Sequence, residues 1–339
     1  MKVAINGFGR IGRLFFRQAF KRPEIEIVAI NDLGDIENLA YLLRHDTVYR
    51  EFAEEVSFVK DDHGGALVVA GKKISVIQEK DPAKLPWAAM GVDVVVECTG
   101  LFESFEKASV HVTAAGAKHV VISAPAKDAE GIAGGKTILM GINEQELKTC
   151  PVSSNGSCTT NATAPIVQIM HESIGVAKAA LSTVHAYTAT QSLTDSPTKG
   201  HDFRRGRAAG QNIVPSTTGA AVSVTRAITD LQGKFDGIAL RVPVITGSLT
   251  DLTFVAKRPT TVEEVNAIFT KAAADPRWQG IVGVDTDQPV SGDMIGTNFA
   301  AVVDLEYTKV IDGDLVKVLA WYDNEWGYVT TLLAHVLAV

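Results

Sequence analysis

Cysteine and long apolar stretches are scarce in this sequence. Only Cys98, Cys150 and Cys158 occur among 339 residues, which argues against a disulfide framework and is typical of a reducing compartment. No apolar run approaches the roughly 18 residues that a membrane span needs. The first residues also lack the charged and apolar regions of a signal peptide. We therefore expect a cytoplasmic protein with no membrane association.

Positive charge is scarce as well. Lys and Arg number 32 against 39 Asp and Glu, which gives a formal net charge of −7 and no general attraction to nucleic acid. An anionic substrate would be repelled at long range, so a phosphate site must depend on local cations. The histidines show no HxH or HExxH spacing and the cysteines no CxxC, so we expect no metal site.

The length and the texture of the chain predict two domains in an α/β protein. The first half alternates short apolar runs with helical patterns, which predicts a Rossmann-type parallel sheet domain over 1–156. Its strands are expected at 2–5, 26–30, 92–97, 119–122 and 137–143. The second half predicts an α+β catalytic domain over 157–324 with a largely antiparallel sheet, including a hairpin at Asp312 and Gly313. A C-terminal helix at about 325–339 is expected to pack back on the first domain.

A glycine-rich turn follows the first predicted strand and opens the first predicted helix. It comprises Gly7, Phe8, Gly9, Arg10, Ile11 and Gly12. This spacing is typical of dinucleotide binding, because the glycines allow a tight turn, backbone approach to a pyrophosphate and close helix packing. Asp32 stands 20 residues after Gly12, where a ribose-binding acid belongs, and favours NAD over NADP as cofactor. The alternative is a plain βα turn with Asp32 as a helix cap.

Cys158 lies in a run of Ser, Thr and Asn at 153–161, a composition that favours turns and helix N-caps. A thiol at a helix N-terminus has a lowered pKa and can act as a nucleophile. Pro165 fits poorly deep inside a helix, so the helix either starts late or kinks there. His185 ends an alternating strand and is the best of eight candidates for the base, although spacing alone does not select it. The alternative is that Cys158 is a small buried hydrophobe, as we expect for Cys98.

Arginines and hydroxyl groups form a candidate anion site. Arg204, Arg205 and Arg207 lie in a predicted long loop at 195–211, and Arg241 stands among apolar residues. Thr218 and Gly219 precede an Ala-rich helical pattern, which is another form of anion site. For Arg204 and Arg207 the alternative is pairing with carboxylates across a subunit contact.

Taken together, these motifs resemble phosphorylating glyceraldehyde-3-phosphate dehydrogenase, and the resemblance runs essentially end to end. It is carried by the N-terminal GFGRIGR, the Asn31-Asp32 pair, the segment 154–161, HAYT at 185–188, the arginines at 204–207, RVP at 241–243 and WYDNEW at 321–326. Departures are Gly156, where the family usually has Ala, Ala162 in place of a second cysteine, Lys80 in place of an Arg, and a longer loop at 195–202.

The resemblance implies a reaction and a set of site residues. Cys158 attacks D-glyceraldehyde 3-phosphate, His185 exchanges protons, and inorganic phosphate releases 1,3-bisphosphoglycerate from a Cys158 thioester. It implies that substrate and phosphate are held by Ser157, Thr159, Thr188, Arg205, Thr218, Gly219 and Arg241. It implies that, besides the glycine-rich turn, the cofactor contacts Asp32, Lys80, Thr99, Ser123 and Asn324. It further implies a homotetramer in glycolysis.

Two other functions remain open on the sequence. Erythrose-4-phosphate dehydrogenase shares the Cys and His pair but tends to release the free acid. A non-catalytic binding protein could keep the fold without the activity, although the intact Cys158 and His185 argue against it.

Overall fold

The computed structural model describes residues 1–61, 64–198 and 201–339. Two residues of the predicted long loop, Lys199 and Gly200, and also Asp62 and His63, lie outside this description. The described chain divides into two units, one formed by Met1–Gly156 with Leu332–Val339 and the other by Ser157–Thr331. None of the helices formed by the described residues has the length and apolar character needed to cross a bilayer.

The first unit contains a large sheet with helices between its strands. In chain order its elements are β1 (Lys2–Asn6), α1 (Arg10–Ala19), β2 (Glu26–Asn31), α2 (Ile36–Arg44), β3 (Val56–Val59), β4 (Gly64–Val69), β5 (Lys72–Ile77), α3 (Trp87–Met90), β6 (Val94–Glu97), α4 (Phe105–Ala108), α5 (Val110–Thr113), β7 (His119–Ile122), β8 (Gly135–Thr137) and β9 (Val152–Ser154). Within the described residues the strand order is β3-β4-β5-β2-β1-β6-β7-β9-β8.

Strands from β5 to β8 in this order pair in parallel, so the predicted Rossmann-type sheet is confirmed. Strands β6 and β7 are buried along their whole length, as expected for strands covered on both faces. The antiparallel extension formed by β3, β4 and β5 was not predicted.

The strand predicted at 137–143 is wrong beyond its first residue. Strand β8 ends at Thr137, and the chain then turns through Gly141 at a φ of 79°. The Asn143 side chain holds this turn, since Oδ1 accepts from the Leu139 N–H at 2.8 Å and Nδ2 donates to the Thr137 carbonyl at 2.9 Å. Ile138 and Leu139 are buried, so the apolar residues of this segment indicated burial in the core and not a strand.

The second unit contains a mixed sheet with helices. Its elements are α6 (Cys158–Ser173), β10 (Val176–Ala186), β11 (Val214–Thr217), α7 (Ala220–Ala227), β12 (Phe235–Val242), β13 (Ser248–Ala256), α8 (Val262–Ala273), β14 (Val282–Asp285), β15 (Ala301–Ile311), β16 (Leu315–Tyr322) and the first part of α9 (Trp326–Ala338), whose last turns belong to the first unit. The strand order in the described residues is β11-β12-β10-β13-β16-β15-β14.

The second sheet is largely antiparallel, as predicted, with parallel pairing only of β10 with β12 and of β14 with β15 among the described strands. The predicted hairpin joins β15 to β16. Asp312 and Gly313 both have positive φ, at 49° and 80°, which is the geometry of a two-residue hairpin turn.

Candidate active site

Cys158 is the first residue of α6, and the sequence explains why the helix begins there. Ser157 caps the helix: its Oγ accepts from the Thr160 N–H at 3.1 Å, and the Ser157 N–H donates to Thr160 Oγ1 at 3.2 Å. The helix runs through Pro165 to Ser173, so it does not start late. The thiol is therefore held where the helix dipole is positive.

His185 provides the expected neighbour for this thiol. It lies near the carboxyl end of β10, and its Nε2 is 3.4 Å from Cys158 Sγ. The imidazole is 3% exposed, and the ring of Tyr322 packs edge-on against it with centroids 6.0 Å apart. This arrangement can move a proton between sulfur and nitrogen.

Arg241 joins the pair because of strand register. Strands β10 and β12 are parallel and place His185 opposite Arg241. Arg241 Nη1 lies 2.6 Å from His185 Nδ1 and donates to the Ala186 carbonyl at 3.1 Å, while Nδ1 is also 2.7 Å from that carbonyl. A guanidinium can only donate and a carbonyl can only accept, so Nδ1 can use one of its two neighbours at a time.

The electrostatics of the site correct one expectation. Burial raises the pKa of the Cys158 thiol, and the charge of Arg241 and the hydrogen bonds from Thr159 only partly oppose this. Burial, and then the charge of Arg241, lower the pKa of His185 to about 3. The predicted lowering of the Cys158 pKa is therefore wrong for this structure, because burial outweighs the charge and the hydrogen bonds that lower it.

Thr159 is held by a chain of buried hydroxyl groups. Its Oγ1 lies 2.9 Å from the Tyr322 hydroxyl, which lies 2.8 Å from Thr183 Oγ1, and Thr183 donates to the Leu249 carbonyl at 3.2 Å. Burial raises the pKa of Tyr322, so the phenol stays protonated. Sequence reasoning missed Tyr322, although WYDNEW was noted as a motif.

The other predicted phosphate residues lie on the same unit. Thr190 Oγ1 connects two of them, at 3.0 Å from Thr188 Oγ1 and 3.2 Å from Arg205 Nη1, and Arg205 also donates to Ser216 Oγ at 2.7 Å. Thr218 Oγ1 accepts from the Ala220 N–H at 3.2 Å, and Gly219 precedes α7 directly.

Arg204 and Arg207 have carboxylate partners within their own loop. Arg204 Nε lies 2.7 Å from Asp202 and Arg207 Nε lies 2.9 Å from Asp195. Both guanidinium groups are more than half exposed, so these pairs leave them at the surface of the unit.

The first unit carries a cavity at the carboxyl ends of its parallel strands. Gly7 has a φ of 94° and approaches the Thr99 backbone so closely that a Cβ would lie 2.6 Å from its nitrogen. At Gly12 a Cβ would lie 2.1 Å from the Gly7 carbonyl oxygen, whereas Gly9 faces open space. No side chain caps the N-terminus of α1. The turn thus leaves room for a phosphate against the helix end.

Asp32 is fixed at the edge of this cavity. Its Oδ2 accepts from the Phe8 N–H at 2.7 Å and its Oδ1 from the Gly34 N–H at 2.8 Å. The Phe8 side chain itself is buried in the core against Phe16. Arg10 forms an ion pair with Asp46.

The remaining predicted cofactor residues are distributed over both units. Lys80 and Thr99 line the cavity with Asp32. Ile11 lies in the first turn of α1, and Ser123 Oγ donates to the Glu97 carbonyl at 2.9 Å. Asn324 belongs to the second unit, where its Oδ1 accepts from Ser248 Oγ at 2.8 Å and Thr246 Oγ1 at 3.3 Å.

Several residues that line the cavity of the first unit were not predicted. They are Asn6, Leu33, Glu79, Pro82, Cys98, Leu101 and Phe102. Cys98 follows β6 instead of lying within a strand, and burial raises the pKa of its thiol to about 12. The sequence pattern that could have indicated these lining residues is a polar residue at the end of an apolar strand. Across the parts of the chain that the structure describes, no group of three or more His, Cys, Asp or Glu side chains is placed to hold a metal ion.

Comparison with known proteins places both parts of this chain in one family. The family model described as "Glyceraldehyde 3-phosphate dehydrogenase, NAD binding domain" matches residues 1–105, and the one described as "Glyceraldehyde 3-phosphate dehydrogenase, C-terminal domain" matches residues 157–324. The chain belongs to the glyceraldehyde-3-phosphate dehydrogenase family. The family predicted from the sequence motifs is thereby confirmed.

Relatives named glyceraldehyde-3-phosphate dehydrogenase align with nearly the whole chain. The protein from Thermotoga maritima is 50% identical over 330 residues, covering 96% of this chain and 95% of its own. The protein from Geobacillus stearothermophilus is 48% identical over 330 residues, covering 97% and 95%. The protein from Streptomyces coelicolor is 47% identical over 336 residues, covering 98% and 96%.

Proposed function

We propose that this protein oxidises and phosphorylates D-glyceraldehyde 3-phosphate to 1,3-bisphosphoglycerate with NAD, through a thioester on Cys158. The observation that carries the proposal is the 3.4 Å separation of Cys158 Sγ and His185 Nε2 at the start of α6. A nucleophile within reach of a base is the arrangement that covalent catalysis requires.

The protein's own residues account for the acyl chemistry. His185 Nε2 accepts the thiol proton as Cys158 Sγ attacks the aldehyde carbon, and then gives it to the carbonyl oxygen to form a hemithioacetal. The nicotinamide cofactor supplies the hydride acceptor when bound. Once the carbon is oxidised to a thioester, a phosphate oxygen attacks it, the carbon–sulfur bond breaks and the acyl phosphate leaves. His185 takes the hydroxyl proton as the carbon is oxidised and returns it to sulfur when the acyl phosphate leaves.

Two clusters of hydroxyl and guanidinium groups support binding of two phosphates. Arg241 and Thr188 would hold the phosphate of the substrate, since a guanidinium matches phosphate oxygens. Ser157, Thr159, Thr218 and Gly219 would hold the attacking phosphate, with Arg205 nearby. The first two residues contribute hydroxyl groups at the start of α6, and the other two form a turn before α7. Both arrangements are suited to binding an anion.

NAD is the cofactor that the first unit favours. Gly7, Gly9 and Gly12 form a turn that would hold the pyrophosphate, and Lys80 and Thr99 line the same cavity. The Asp32 carboxylate, held by two backbone N–H groups, would accept from a ribose 2′-hydroxyl and repel a 2′-phosphate. The contacts of Arg10, Ile11, Ser123 and Asn324 with the cofactor remain predictions from the family.

Two aspects of the protein's setting are also proposed. We infer a homotetramer from family resemblance, which light scattering on the purified protein would test. We infer a cytoplasmic location, supported by three cysteines that are all free thiols. The domain bounds 1–156 and 157–324 likewise stay a proposal, which expression of the separate segments would test.

One steady-state assay tests the reaction. It crosses glyceraldehyde 3-phosphate and erythrose 4-phosphate with NAD and NADP, each with and without inorganic phosphate. We expect the largest kcat/KM with the three-carbon aldehyde, NAD and phosphate. Phosphate-independent oxidation of the four-carbon sugar would replace this proposal with erythrose-4-phosphate dehydrogenase, and inactivity in every arm would indicate a binding protein.

A further inference from the structure

A buried carboxylate lies behind the cavity of the first unit. Glu97 ends β6 and is 2% exposed. Its Oε2 accepts from Asn6 Nδ2 at 2.5 Å and faces His111 Nε2 at 3.1 Å. Its Oε1 accepts from the Thr99 N–H at 2.7 Å and from Thr99 Oγ1 at 2.5 Å. Four donors therefore converge on one side chain.

The direction of each hydrogen bond follows from its neighbours. Trp87 Nε1–H can only donate, and it lies 3.1 Å from His111 Nδ1, so the proton of this neutral imidazole is on Nε2 and points to Glu97. The Thr99 hydroxyl accepts from the Leu101 N–H at 3.0 Å, so its own proton goes to Glu97. Both carboxylate oxygens of Glu97 therefore accept hydrogen bonds, from Asn6, His111 and Thr99.

This network extends to the wall of the cavity. Asn6 Oδ1 accepts from Asn31 Nδ2 at 2.7 Å, and Asn31 pairs with both the carbonyl and the N–H of Glu79, at 2.9 and 3.0 Å. Asn6, Asn31, Glu79 and Thr99 all line the cavity. Hydrogen bonds therefore connect Glu97 to four residues of the cavity wall.

The network holds the part of the cavity wall that would face the adenosine half of a bound dinucleotide. Glu79 follows β5, which pairs in parallel with β2, and Asp32 follows β2 directly. In a Rossmann-type sheet the acid after this strand contacts the adenosine ribose. Burying an ionised carboxylate is costly. An apolar side chain would avoid that cost if only packing were needed.

We propose that Glu97 is a positioning residue for the adenosine half of the cofactor, acting through Thr99 and through the Asn6–Asn31–Glu79 chain. His111 and Trp87 hold Glu97 in turn, with Trp87 selecting the imidazole tautomer that donates to it. The inference rests on the dinucleotide binding proposed above. It assigns a task to residues that touch neither the aldehyde nor the thiol.

The test is Glu97→Gln, with ADP-ribose as probe and isothermal titration calorimetry as readout. Glutamine turns an NH₂ group toward donors that need an acceptor, so the wall loses its arrangement. We expect the Kd of ADP-ribose and the KM of NAD to rise roughly tenfold. The kcat at saturating NAD and the KM of the aldehyde should stay within about twofold of the parent values.

Trp87→Phe provides a second and milder variant, because Trp87 is fully buried and lies away from the cavity lining. It removes the donor that selects the His111 tautomer, and we expect a rise of a few fold in the same Kd. If Glu97→Gln does not fold, the Kd of ADP-ribose for Trp87→Phe tests the positioning role of Glu97.

Ser153→Ala is the matched control. Ser153 is fully buried in the same unit, between His119 and His335, in a different polar network. It should lower the melting temperature without changing the Kd of ADP-ribose. Parent-like Kd values in Glu97→Gln and Trp87→Phe, or an equal loss in Ser153→Ala, would overturn the positioning role. Failure of the parent protein to bind ADP-ribose would instead refute the dinucleotide binding itself.

Discussion

The guanidinium of Arg241 lies 2.6 Å from Nδ1 of His185, the imidazole whose Nε2 faces Cys158. The contact couples two tasks, since the same arginine is proposed to hold the substrate's phosphate and also acts on the catalytic pair. Its positive charge lowers the pKa of both the imidazole and the thiol. Binding of a phosphate at Arg241 would therefore oppose this lowering of the two pKa values.

Arg241→Leu should separate these two effects. We expect kcat/KM for glyceraldehyde 3-phosphate to fall by roughly tenfold to a hundredfold, the value of hydrogen bonds to a charged group. Unphosphorylated glyceraldehyde should lose much less. Steady-state kinetics on both aldehydes would measure this, and an equal loss on the two would contradict a phosphate contact.

The same variant predicts a change in thiol reactivity with pH. Removing the charge of Arg241 removes an influence that lowers the pKa of Cys158, so the midpoint of alkylation by iodoacetamide should move to higher pH. The rate of Cys158 labelling between about pH 7 and 11 would be followed in the parent and the variant. A midpoint that stays in place or moves to lower pH would show that Arg241 does not act on the thiol.

Cys158→Ser should reduce turnover by about 10⁴-fold or more while NAD still binds, because a serine hydroxyl beside His185 remains protonated. Cys150→Ser is the matched control, since Cys150 is buried in the other unit and its Sγ faces the Leu147 carbonyl. That variant should keep its turnover. Activity in Cys158→Ser comparable to the parent would exclude the thioester route.

Asp32→Ala should change the choice of cofactor. Loss of the carboxylate removes both the acceptor for a 2′-hydroxyl and the repulsion of a 2′-phosphate. We expect kcat/KM for NAD to fall roughly tenfold and that for NADP to rise, measured at saturating aldehyde and phosphate. Asp35→Ala, which changes an exposed carboxylate at the start of the next helix, is the control and should leave the ratio unchanged. A strong NADP preference in the parent protein would remove the role of Asp32.

Two buried histidines should make the first unit sensitive to acid. His119 Nε2 lies 2.7 Å from Ser153 Oγ, which lies 2.8 Å from His335 Nε2, and burial lowers their pKa values to about 4 and about 3. In the unfolded chain both have the usual value of 6.5. Below that pH the unfolded state binds protons that the folded state does not. The free energy of unfolding should therefore fall between pH 6.5 and 4, by up to about 1.4 kcal/mol per pH unit for each histidine.

Urea denaturation at several pH values would measure this slope. His335→Leu should reduce the slope, because it removes one of the two groups. A slope that does not change in the variant would mean that other groups cause the acid sensitivity.

Local sequence determined the features that depend on a few neighbouring residues. Ser157 and Thr160 form the cap that begins a helix at Cys158. Gly7 and Gly12 allow backbone approaches that a Cβ would block. Asp312 and Gly313 form the hairpin turn through their left-handed backbone. Each depends on backbone conformation and hydrogen bonds over a few positions, so the sequence pattern was enough to predict it.

The tertiary structure decided what depends on register and burial. The parallel pairing of β10 with β12 sets Arg241 beside His185, 56 positions apart in the chain. Burial raises the pKa of Cys158 where the helix end alone predicted a lower one, because desolvation depends on all surrounding atoms. The hydrogen bonds of Glu97 also depend on the fold, because their donors come from three segments of the chain. The sequence thus indicated the residues proposed to react, and the fold determined their burial and their partners.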